Sequence, residues 1–308
     1  MEPISPLDRT AEVPMSSTFY PGNHCGPPRT VEDLVFVSSD RVSFCLHSEV
    51  VLAASSNAFD NLVDPLQVSA ARAKADHHVV AIPETASVLN IILHAIYGLS
   101  CQQFDPTNDD LFAAVDAFQR YGISAQTHAA PSTALFQDLF SRVPTAPLDF
   151  YVLAARHDLY PLAAHTSTHL LGCKATDIPL ETAERMGPVY LSKLLALQEK
   201  RQEALKTLLR TPPLAHPPMP NCTGVALGRA WELASAYLVW EMRPQLTTPA
   251  LGAAFGQLAA EIGCPRCEAA FETRLAEVLD AWAAKPVKPS LRGTGGTRSL
   301  TERFASTV

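Results

Sequence analysis

The chain contains no run of eighteen or more apolar residues, so no stretch of it reads as a transmembrane helix. Its first residues, MEPISPLDRT, carry no basic-plus-apolar leader, which points to an intracellular protein, cytoplasmic or nuclear. Charge is sparse at 18 %, and the net charge is −7, which argues against a nucleic-acid-binding surface over most of the chain. GxSxG, Walker A, GxGxxG and HExxH are all missing, so no catalytic constellation can be assembled from known motifs. The GTGGT of the tail lacks the strand before it and the helix after it that a phosphate loop needs. Seven cysteines, an odd number and scattered except for one close pair, suit a reducing compartment and free thiols.

What the sequence does have is apolar material and proline. With 308 residues and 47 % hydrophobic content, it can build roughly two domains with real cores. The 25 prolines gather near the N-terminus, around 211–220 and in the tail, where they mark linkers. Residues 1–28 read as a disordered tail containing the neighbours His24 and Cys25, a weak metal-binding candidate. Residues 285–308, rich in Gly, Ser, Thr and basic residues, read as a second disordered tail.

Between these, the stretch from Asp33 to Phe59 organises the N-terminal part. Leu34 to Val37, the polar turn Ser38-Ser39-Asp40, then Val42, Phe44 and Leu46 read as a β-hairpin. The period then changes to helical through Val50, Val51 and Ala54, with Ser55, Ser56 and Asn57 as a break and a cap for a second short helix at Ala58 and Phe59. Asn61–Asp76 reads as a loop or a frayed helix end. His78–Ile82 reads as a third short strand stopped by Pro83. Leu89, Ile92, Leu93 and Ile96 predict an amphipathic helix over Thr85–Tyr97, ended by Gly98. Asn108 or Asp109 is expected to cap a further helix over Leu111–Tyr121.

Asp33, His47, Val51, Leu52, Ser55, Ser56 and Phe59, followed by ILHAIYG and DAFQRYGI, give this region a pattern that resembles the BTB (POZ) domain over roughly 30–125. The resemblance implies an α+β fold, a small three-stranded sheet with helices at 29–125, whose role is to bind itself as a homodimer or to bind another protein. Some members also bind cullin scaffolds through an aliphatic-x-Glu pattern after the third helix; the corresponding GLSCQQFDP has no Glu, which weakens that reading.

The remainder reads as an all-α extension, similar to that of fungal BTB-containing proteins. It divides into a helical stretch at 126–210, a Pro-rich linker at 211–224 and a small helical unit at 225–284. LDFYVLAARHDLYPLAAHTSTHLL echoes DLFAAVDAFQRYGISAQTHAAPSTALF, which reads either as a weak repeat or as two generic helix hairpins. Glu181–Arg210 is expected to form two helices, with Leu194, Leu197, Leu205 and Leu208 buried and Glu199, Lys200, Arg201, Glu203 and Lys206 facing water.

One constellation points to a metal. Cys264-Pro-Arg-Cys267 is a CxxC knuckle between two expected helices, Cys222 opens the last unit, and His216 lies in TPPLAHPPMP. Three thiols and an imidazole could hold a tetrahedral structural zinc that staples a unit too small for a stable core of its own. Unliganded thiols are the plain alternative, and a redox pair a third. From a different functional class, His157, with His165 and His169 of HTSTH at i, i+4, could form the core of a metal-dependent enzyme, although no Glu supplies a hydrolytic base.

Overall fold

Residues 14–22, 32–74, 76–241 and 244–285 are described in a computed structural model. It is mixed α+β, with three strands and twelve α-helices among those residues, and the chain divides into two compact units. The first holds the described residues up to Thr166 with Glu184–Gly187. The second holds Ser167–Ala183 and the described residues from Pro188 on.

In the first unit the hairpin forms as its alternation requires. β1 (Leu34–Val37) pairs antiparallel with β2 (Ser43–Leu46), putting Leu34 opposite Leu46 and Phe36 opposite Phe44. The Ser38 hydroxyl closes the turn, donating to Asp40 and accepting from the Val42 amide. α1 (Ser48–Ala54) and α2 (Pro65–Ala73) then cross over to β3 (His78–Ala81), which runs parallel to β1 and gives the sheet order β2-β1-β3. The buried Asp33 carboxylate fixes this crossover. It accepts from the Ser48 amide at 2.9 Å, from the Ser48 hydroxyl at 2.8 Å and from both Nε and Nη2 of Arg72 on α2.

Three expectations need correction here. Residues 55–62 do not form a second short right-handed helix. Ala58, Phe59, Asp60 and Asn61 sit in the left-handed region, with φ of 52, 58, 61 and 58°. Side chains impose this turn: Ser55 Oγ accepts from the Phe59 amide at 2.7 Å and Asn57 Oδ1 from the Asp60 amide at 2.9 Å. Phe59 is thereby driven into the core, 4.9 Å from Phe36 and stacked 4.0 Å from Tyr121. Second, residues 65–73 are a capped helix of their own and not the loop or frayed helix end expected; Pro65 occupies its first turn and Asp64 caps it through the Leu66 amide. Third, part of the expected N-terminal tail is ordered. Ser43 and Cys45 donate to the carbonyls of Pro14 and Phe19, and Ser16 donates to that of Ser43, so residues 14–19 satisfy the outer edge of β2 while Phe19 is buried. His24, Cys25 and the tail from 286 lie outside the described residues.

α3 (Ala86–Tyr97) starts at the Thr85 cap and stops at Gly98, as its pattern predicts. Its Tyr97 hydroxyl accepts from the His47 amide, joining the start of α1 to the end of α3. α4 (Asn108–Arg120) is capped by Thr107 in a reciprocal box with Asp110, one residue earlier than expected. Ser55 and Ser56 donate to the carbonyls of Tyr121 and Gly122 beyond its C-terminus. Short helices follow: α5 (Ala125–His128), α6 (Ala134–Arg142), α7 (Pro147–Arg156) and α8 (Tyr160–Thr166).

The second unit is helical. α9 (Leu180–Leu209) is broken at Gly187, whose φ of 75° and ψ of 160° precede Pro188, so it is two helices, as the sequence suggests. α10 (Val225–Glu241), α11 (Thr248–Ala259) and α12 (Pro265–Ala283) pack with Leu205 and Leu209 around Trp231, Phe255, Phe271 and Trp282. Those three C-terminal helices therefore do not form a core alone; the end of α9 completes it. Arg201, expected on the wet side of α9, is buried. It donates to the carbonyls of Pro244, in the loop before α11, and Lys285, just beyond α12.

Candidate metal centre

The four residues singled out by spacing converge within the second unit. The ligand atoms of His216, Cys222, Cys264 and Cys267 all lie within 4.8 Å of one another, and they are the one cluster among the described residues suited to a metal ion. Each arrives for a local reason. Pro217 restricts His216 to extended backbone, and the His216 Nδ1–H donates to the Pro217 carbonyl at 2.7 Å. That bond fixes the tautomer and leaves Nε2 with its lone pair toward Cys264 Sγ, 3.4 Å away. Cys222 is delivered by a tight turn in which Met219 and Cys222 exchange both backbone bonds, at 2.8 and 3.1 Å. Gly224, at φ 78°, lets the chain pass under Ala215; a Cβ there would meet the Ala215 methyl at 2.9 Å.

Cys264 is the N-cap of α12, with Pro265 in the first turn, and Cys267 lies one turn on, buried in the helical core. Its sulfur is 3.7 Å from that of Cys222. A tetrahedral ion bound by thiolates at about 2.3 Å and an imidazole at about 2.0–2.1 Å requires S···S edges near ~3.8 Å and S···N edges near ~3.6 Å. The Cys222–Cys267 edge at 3.7 Å and the Cys264–His216 edge at 3.4 Å lie close to these values.

Electrostatics set the two knuckle thiols apart. The Cys264 thiol is pulled below its ordinary value, first by the backbone amide of Cys267 at the start of α12 and then, against burial, by His216 and the amide of Arg266. The Cys267 thiol is pushed up by burial and then by the neighbouring sulfurs of Cys222 and Cys264. Three sulfurs this close repel as thiolates, and a bound cation removes that repulsion. The arrangement can hold a metal ion. His216 and the three cysteines supply four donors, the number a closed, structural site uses.

The histidines of the enzymatic alternative are engaged elsewhere. His157 Nε2 lies 2.6 Å from Asp116, which also pairs with Arg156 at 2.7 Å. The ring of His165 stacks on Phe140 at 3.8 Å. α8 ends at Thr166, so HTSTH is not one helix and the i, i+4 spacing does not bring His165 and His169 onto a common face. The sequence reading missed the supports of the metal set, namely the Met219–Cys222 turn and the Gly224–Ala215 approach. The only signal for them was the Pro-Asn and Thr-Gly pairs flanking Cys222.

Among the described residues no helix is long and apolar enough to cross a membrane. Comparison with known proteins finds no matching family model, no matching curated protein and no matching solved structure.

Proposed function

We propose that the chain is a non-enzymatic protein-interaction module, in which a BTB/POZ-type region at 29–125, within the first unit, associates with itself or with another protein. In this reading the helices from 126 on are an extension, whose last part, in the second unit, is stapled by one structural zinc ion. The observation that carries it is where the family-like residues sit. Asp33 holds β1, α1 and α2 together, His47 joins α1 to α3, and Ser55 and Phe59 tie the left-handed turn to the end of α4. They occupy joints in a hairpin–helix–strand–helix succession, and their side-chain bonds are spent on holding that scaffold together, as a binding domain requires. A cullin scaffold is disfavoured as the partner by the absence of a Glu in Gly98–Pro106.

Zinc is supported over other ions by a soft three-thiol, one-imidazole donor set, two of whose edges suit a tetrahedral zinc site. The ion would supply cross-linking between the proline-rich strut and α12. Two measurements on the full chain test the reading. Light scattering over a concentration series and affinity capture followed by mass spectrometry should find self-association or a reproducible partner; a strict monomer that captures nothing overturns the module. Native mass spectrometry should find one zinc per chain; a metal-free protein purified without chelator overturns the staple.

A further inference from the structure

α10 is apolar on both sides. Leu227, Ala230, Trp231, Ala234 and Leu238 face the core of the second unit. On the opposite side Leu233 is 48 % exposed, Tyr237 54 % and Trp240 88 %. A helix on a protein surface is ordinarily polar on its outer face, and one that is hydrophobic all round is covered. The outer residues have a specific spacing. Ala226, Arg229, Leu233, Ala236 and Trp240 are all exposed and follow one another at +3, +4, +3, +4, the seam of a helix pair.

The pattern is complementary to itself in one direction. Set antiparallel about a two-fold axis, the seam brings Leu233 against Ala236 of a second copy and Trp240 against Arg229 of that copy. Large then meets small, and a guanidinium meets an indole face. Symmetry repeats both contacts, so the two ends are satisfied together. A parallel pairing would instead place Arg229 on Arg229 and Trp240 on Trp240, with like charges opposed. We propose that the outer face of α10 binds a second copy of this chain as an antiparallel helix pair. This is a self-association surface separate from any in the first unit. Four layers on one helix make a small interface, so the pair is reversible.

The test uses the full chain with benzoylphenylalanine in place of Tyr237, which flanks the seam. Chains of natural and heavy nitrogen are mixed, irradiated and mapped by mass spectrometry. The expected product is a mixed-isotope cross-link to α10 of the other chain. Its yield should rise with concentration, and Trp240→Glu should shift the half-maximal concentration up about tenfold or more. Because Trp240 is on the surface, that variant should keep the wild-type unfolding transition, which is measured alongside. Cross-links confined to one chain, cross-links to the first unit of another chain, no mixed product at any concentration, or a yield indifferent to Trp240→Glu would each overturn the proposal. Self-association through the first unit would survive every one of these outcomes, so the two readings fail separately.

Discussion

The guanidinium of Arg201 lies 4.3 Å over the ring of Trp282 while donating to the carbonyls of Pro244 and Lys285. One side chain thus stacks on α12 and ties down the loop before α11 and the segment just after α12. Burial holds its pKa below the usual arginine value, a cost offset by the carbonyls and the ring. A lysine can supply a charge there but neither the planar stack nor the fork. Arg201→Lys should therefore destabilise the second unit by about 1–2 kcal/mol, and Arg201→Ala by more. All three tryptophans, Trp231, Trp240 and Trp282, belong to this unit, so urea unfolding followed by indole fluorescence reads it directly.

The left-handed turn gives an opposite expectation. Ala58 is held at φ 52° with a Cβ that this region disfavours by roughly 1–2 kcal/mol. Glycine removes that strain but loses more chain entropy on folding, so Ala58→Gly should stabilise the first unit by a net of about 0.5–1 kcal/mol. Hydrogen exchange of the β1 and α3 amides should slow accordingly. Faster exchange would mean that the Ala58 methyl contributes more than its backbone costs.

Much of this was legible, and the failures have physical causes. The hairpin and α3 could be read because alternation, the Thr85 cap and Gly98 all favour the same state. The turn at 58–61 could not: its residues carry no glycine signal, and its hand is decided by the Phe59 and Asp60 amides donating to Ser55 Oγ and Asn57 Oδ1 and by the pull of Phe59 toward Tyr121. α2 was missed although Asp64-Pro65 is a start signal, because its apolar positions are few and only Val68 is buried. Arg201 looked wet among charged neighbours, since a local pattern says nothing of carbonyls 43 and 84 residues away. The four residues that could hold a metal stood out by their chemistry, but their convergence depends on a strut whose path proline and Gly224 determine.

His94 predicts a pH dependence. Its ring is buried edge-on to Phe19 and Phe104, 5.1 and 5.2 Å away, and its Nδ1–H donates to the Asn90 carbonyl at 2.7 Å. Burial lowers its pKa below 6.5, opposed by the Asn90 bond and by Asp138. The unfolded chain then binds the proton more readily than the folded one, so stability rises with pH across this window. The contribution is complete above the ordinary histidine pKa and is lost as pH falls below it. The slope is at most about 1.4 kcal/mol per pH unit. Comparing exchange protection of the first unit at pH 7.5 and 5.5 in wild type and His94→Asn should show a shallower dependence in the variant; equal slopes would remove His94 from the account.

Metal removal should act on one unit alone. The four ligands join the strut at 216–222 to the start of α12, and Cys267 also packs in the core shared by α10, α11 and the end of α9. A zinc site filled at a thousand times its dissociation constant adds about 4 kcal/mol to the unit that holds it. Chelation should accordingly move the indole-monitored transition to lower urea while leaving exchange at β1–β3 unchanged, and added zinc should restore it. Replacing one ligand separates the ion from the thiols themselves. Cys264→Ser is nearly isosteric and keeps the α12 cap, which Cys264 makes without its side chain, so it should reproduce the chelated transition. If Cys264→Ser matches the zinc-loaded protein instead, the four side chains meet there for packing alone.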